Sequence, residues 1–151
     1  MDDPESIIDA PGEVAFWHVV FLSGPCRSWW DLLTCERFRH VCAYGYSPAL
    51  DGFILVDPGR GHTRVTGMTA ETLGLWLAKN DASITEVLLV KGGDETSLIS
   101  RLGYWCTTSV KRLLGVRSSA FTPEGLRRDL LRNNAEVVRS RENAQTTRRR
   151  S

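Results

Sequence analysis

A chain of 151 residues with a formal charge of +1 is long enough to bury a core as one domain, so neither disulfides nor a structural metal is needed to hold it together. Its 42% hydrophobic and 25% charged residues exclude a wholly disordered chain, and near-neutrality excludes a polybasic coat for nucleic acid or membrane. No run approaches the ~18 apolar residues of a membrane span, and no N-terminal stretch reads as a signal peptide. The expected setting is therefore cytosolic or an assembly built there, with Cys26, Cys35, Cys42 and Cys106 as reduced thiols.

Charge is uneven along the chain. Residues 1–13 carry Asp2, Asp3, Glu5, Asp9 and Glu13, whereas residues 139–151 carry Arg139, Arg141 and Arg148 to Arg150 against the single acid Glu142. Both ends lack the apolar content to order themselves. The expected organisation is an acidic tail (1–13), one α+β domain (14–134) and a basic tail (135–151). The tail arginines could touch phosphate only non-specifically, because no aromatic residues interleave them.

Val14 to Leu22 (VAFWHVVFL) is a continuous apolar, β-branched and aromatic run and predicts a buried strand. Ser28 with Asp31 predicts a short helix start carrying Trp29 and Trp30. Phe38 to Tyr46 and Phe53 to Val56, joined by Ser47-Pro48-Ala49-Leu50-Asp51-Gly52, predict a β-hairpin. A third strand around Thr63 to Thr66 follows, and then a helix to about Lys79 with Thr69 as N-cap and Leu73, Trp76 and Leu77 on its apolar face.

Ile84 to Val90 predicts another strand. Cys106 opens a helix that ends at Gly115, a C-terminal stop. Thr122 and Pro123 start the last helix, with Phe121 and Leu126 as a hydrophobic staple, and it frays near Asn133-Asn134. The predicted fold is α+β, a small antiparallel sheet with a central hairpin packed against helices.

Three residues suggest chemistry. A helix N-terminus favours thiolate, and Cys106 is placed at one. A turn centred on Pro48 and Ala49 makes facing residue numbers sum to about 97, which sets His40 opposite Asp57 on the same face of the hairpin. A slip of one residue would send the two to opposite faces. His62 is the reserve base, and His18, in the most apolar strand, reads as a satisfied core residue. The absence of any Cys-x-x-Cys pair argues against zinc, and lone glycines in 59–61 and 92–93 are no phosphate loop, so no cofactor is expected.

The order of these residues, histidine strand, then a polar strand end, then a cysteine helix, resembles the circularly permuted papain-like superfamily, which includes permuted peptidases, amidases and lecithin retinol acyltransferase-like enzymes. The F-R-H strand, the V-D-P strand end, the C-x-x-x-V-K-x-L-L-G helix and the T-P helix start also resemble small proteins encoded by tailed bacteriophages. The resemblance implies Cys106 as nucleophile, His40 as base and Asp57 as orienter. It further implies a virion component (head, connector or tail) located in the host cytoplasm or the particle, with an active thiol hydrolase or acyltransferase as the alternative. Charged tails and exposed Trp would then meet other virion proteins, and no membrane partner is expected.

Overall fold

The computed structural model of the chain describes residues 14–25, 34–59, 62–92 and 105–141. The expected tail at 1–13, the Ser28 helix start with Trp29 and Trp30, and the arginines at 148–150 lie outside the described residues. Six strands form one antiparallel sheet: β1 (Phe16–Leu22), β2 (His40–Ser47), β3 (Gly52–Pro58), β4 (Thr63–Met68), β5 (Ile84–Lys91) and β6 (Glu136–Ser140). Their order across the sheet is β4-β3-β2-β1-β5-β6. Three helices accompany them, α1 (Ala70–Asn80), α2 (Cys106–Leu113) and α3 (Pro123–Arg132). The molecule is thus an α+β protein.

Alternation along the strands divides the core into two layers. Trp17, Val19, Phe21, Val41, Ala43, Ile54, Val56 and Leu88 face Val110, Leu113 and Leu114 of α2 and Leu126 and Leu130 of α3. On the opposite face Val20, Leu22, Cys42, Leu55 and Val87 pack against Trp76 and Leu77 of α1. The near-continuous apolar run of β1 follows from this, because a strand covered on both faces has no solvent side to leave polar.

Helix ends obey local chemistry. Thr69 and Thr122 cap α1 and α3, accepting from the N–H groups of Thr72 and Gly125. Gly115, at φ 64°, closes α2 with Gly115 N–H to Arg112 O and Val116 N–H to Lys111 O, the paired bonds of a Schellman stop.

Three expectations are corrected. The hairpin register sums to 99, with Ser47 facing Gly52 and Ala43 facing Val56, because the turn is longer than a two-residue loop. Pro48 starts a 3-10 turn through Leu50, and Asp51 takes a left-handed conformation before the chain re-enters the ladder at Gly52. Phe121 does not staple α3: it is 87% exposed and lies beside the Lys111 ammonium, while Leu126 is buried in the core. Residues 136–140, expected in the basic tail, form β6. Asn134, at φ 65°, turns the chain back, and the β-branched Val137 and Val138 join the open edge of β5.

Candidate active site

The sheet opens where His40 begins β2. Pairing between β2 and β3 stops at Ala43 and Val56; continuing it would set Val41 against Pro58, which has no N–H to give. The N-terminus of α2 meets this gap. Here His40 Nε2 donates to Asp57 Oδ1 at 2.7 Å. With Nε2 so occupied, the other ring nitrogen is left for Cys106, whose thiol shares a hydrogen bond with the His40 side chain.

Asp57 reaches the ring along a diagonal. In the observed register His40 lies two positions from the residue facing Asp57, so a shift of two preserves the shared face that a shift of one would have destroyed. Asp57, His40 and Cys106 are therefore brought together as the sequence suggested, by a pairing different from the one expected.

Electrostatics favour the charged pair. Burial alone would lower the His40 pKa, but hydrogen bonds to Asp57 and Cys106 and the charges of both outweigh it and raise it to about 9. For Cys106 burial pushes upward. The hydrogen bond and charge of His40, the Val41 N–H and the Thr107 hydroxyl overcome that and lower the thiol below its ordinary value. Asp57 is lowered chiefly by its hydrogen bond to His40, against the opposing effect of burial, and further by the charges of His40, Arg64 and His62.

Helix α2 differs from its neighbours in a way that suits an anion. Its N-cap, Trp105, provides no side-chain capping bond to the first turn and that turn holds no acid, whereas α1 and α3 have threonine caps and Glu71 and Glu124. The first bond within α2 runs from Ser109 N–H to Trp105 O, so the N–H groups of Cys106, Thr107 and Thr108 precede the intrahelical ladder. The positive end of the helix thus faces the sulfur.

The remaining candidates take other places. His18 stacks on Tyr44 at 4.7 Å and burial lowers its pKa; its Nδ1 finds no hydrogen-bond partner among the described residues, where a satisfied core residue was expected. His62 is exposed in the β3–β4 turn, where its carbonyl accepts from Gly59 N–H at 2.7 Å. Cys42 is fully buried, and burial, with the charges of Asp57 and Cys106, drives its pKa well above that of an ordinary thiol. Cys35 is exposed. The contribution of Val41 N–H and Thr107 to the thiolate was missed from sequence, since a backbone donor at a ladder end has no side-chain signature.

Among the described residues, no three His, Cys, Asp or Glu side chains are grouped to hold a metal ion, and no helix is long and apolar enough to cross a membrane. Comparison with protein-family models, curated proteins and solved structures finds no match to this chain.

Proposed function

We propose that the protein is a cysteine-dependent acyl-transfer catalyst, a thiol hydrolase or acyltransferase acting on an amide or ester. The observation that carries this reading is the His40 ring held between Asp57 and Cys106. The Cys106 thiolate attacks the substrate carbonyl carbon and forms a tetrahedral oxyanion, for which the Cys106 N–H is one donor. The His40 imidazolium then gives its proton to the departing nitrogen or oxygen, and a thioester remains on Cys106. The neutral ring next takes a proton from water, or from an acceptor alcohol or amine, as that group attacks the thioester. Collapse of the second intermediate frees the thiolate. Asp57 fixes the ring orientation and stabilises its charged state throughout.

An activated aryl ester tests this. A stoichiometric burst with an acyl adduct mapped to Cys106, absent from Cys106→Ala and slowed in His40→Ala, is the expected outcome. Acylation that ignores both substitutions rejects the reading.

A second reading, a virion component of a tailed phage that keeps the permuted papain-like fold as a packing module, draws its support from the charged ends and the 52% exposed Trp105. In it the arginine-rich end leaves from β6 at the sheet edge to engage neighbouring proteins, with non-specific contact to nucleic acid as a lesser role. The two readings are compatible, because a particle component can carry a working thiol site.

A further inference from the structure

His40 is only as well placed as the segment that delivers it. Residues 34–39 are tied to the sheet by Arg39 N–H to Leu22 O at 2.9 Å and by the Thr85 hydroxyl, which is 3.0 Å from both Phe21 O and Arg37 O. Within the segment, the buried Phe38 ring meets Phe21 edge-on at 5.8 Å.

Two guanidinium groups also lie over that ring, Arg37 at 5.2 Å and Arg127 at 5.3 Å from its centroid. Arg127 comes from α3 and is bound through two nitrogens to the Glu86 carboxylate of β5, Nε to Oε2 and Nη2 to Oε1. Glu86 is 1% exposed. An ion pair this deep is poor evidence of stabilisation, since an apolar pair of similar volume commonly serves as well. What it supplies that an apolar pair does not is direction: the planar, two-point contact fixes the guanidinium, whose central carbon lies over the Phe38 ring.

We propose that the Glu86–Arg127 pair is a positioning device for His40, acting through Phe38, which lies two residues before it. The proposal rests on the thiol–imidazole reading of the site. It gives the buried Glu86 carboxylate and its half-buried Arg127 partner a task, because imidazole-to-thiol geometry must be held within a fraction of an ångström. Arg127 and Glu86 are positioning residues, with no contact to the reacting atoms required.

The test is the pH profile of Cys106 alkylation by iodoacetamide, normalised to the rate at high pH, with melting followed in parallel. Arg127→Lys keeps the charge but loses the flat two-point contact. Phe38→Leu keeps the ion pair but removes the ring, and Phe38→Tyr keeps both. The expected result is that Arg127→Lys and Phe38→Leu each reduce relative alkylation near pH 6 by about tenfold, as a small displacement of an oriented group does. The double variant should lose little more than either single one, and Phe38→Tyr should retain the parent profile.

Lower melting temperatures with unchanged profiles in Arg127→Lys and Phe38→Leu would overturn the proposal and leave the pair purely structural. Should Arg127→Lys not fold, the two Phe38 variants decide, since both preserve the ion pair. The parent protein separates the two layers of argument. If its alkylation has no low-pH limb, or if His40→Ala leaves that limb intact, the thiol–imidazole reading itself fails. If the limb depends on His40 but is indifferent to Phe38 and Arg127, only the positioning proposal falls.

Discussion

His40 Nε2 lies 2.7 Å from Asp57 Oδ1, and this contact commits the other side of the ring to the Cys106 thiol. Hydrogen bonds and charges of Asp57 and Cys106 outweigh burial and raise the His40 pKa to about 9, while the ring, the Val41 N–H and the Thr107 hydroxyl lower that of Cys106, so both shifts run towards a thiolate–imidazolium pair. Such a pair is reactive at pH values where an isolated thiol is protonated.

Alkylation should therefore be concentrated on one cysteine. Near neutral pH Cys106 is expected to be modified ahead of Cys26, Cys35 and Cys42, with Cys42 inert in the folded state because it is fully buried and its thiolate disfavoured. His40→Ala should slow Cys106 alkylation near pH 6 by at least about tenfold. Peptide mapping after timed iodoacetamide exposure measures both, and faster modification of another cysteine would contradict the primed thiol.

Asp57→Asn keeps the shape of the orienting group and removes its charge. The amide can present its NH2 group to His40 Nε2, which favours the wrong ring tautomer, and the imidazolium loses its counter-charge. Turnover of an activated ester should fall by roughly a hundredfold or more, while alkylation of Cys106 falls less, since it requires no proton delivery to a leaving group. Equal losses in the two assays would argue that Asp57 holds the fold locally and does not tune the ring.

The same contact makes stability depend on pH. The folded Asp57 pKa is depressed, so its contribution is present above the ordinary carboxyl value of 3.8 and is lost as pH falls through the folded value. The His40 partner is raised from 6.5 to about 9, so the charged form of the contact is lost as pH rises through that upper value. The melting-temperature gap between parent and Asp57→Asn should be widest between about pH 3.8 and 6.5, shrink as pH rises from 6.5 through about 9, and close on the acid side as pH falls through the folded Asp57 value. Both side chains are more than a third exposed, so solvent screening limits the gap to about 1 kcal/mol or less, a shift of a few degrees.

How much of this was legible follows from the period of each signal. Strands β1 and β5, the caps Thr69 and Thr122 and the stop at Gly115 rest on patterns confined to a few adjacent residues, and all appear where the sequence placed them. Hairpin register depends on how many residues the turn absorbs. Pro48 and Gly52 mark a turn without showing that Asp51 will adopt φ 45° and lengthen it. The site remained readable because the error was even, which keeps His40 and Asp57 on one face. β6 was not readable. Its two valines are flanked by charge, its residues stay largely exposed, and its only reason to be a strand is the vacant edge of β5, a long-range fact.

That edge yields the last prediction, which concerns where the chain can be cut. Arg139 faces Val87 in the ladder and its guanidinium meets Asp81 at 2.7 Å, while Arg141 donates to the Asp81 carbonyl. A chain ending at Arg141 keeps all of these contacts and should fold and alkylate like the parent. A chain ending at Asn134 loses β6 whole. Four paired positions disappear, and at about 0.5–1 kcal/mol net for each backbone bond the loss is roughly 2–4 kcal/mol. It also bares the backbone of β5, whose Val87 and Leu88 are now buried, and an exposed apolar edge invites intermolecular pairing. The Asn134 truncation should therefore melt lower and aggregate on warming, with light scattering and far-UV circular dichroism as readouts. The same two chains also test the tail. If residues 142–151 dock the protein into a particle, the Arg141 truncation folds normally yet fails to incorporate; normal incorporation would remove the docking role of Arg148, Arg149 and Arg150 and leave the thiol chemistry as the function to pursue.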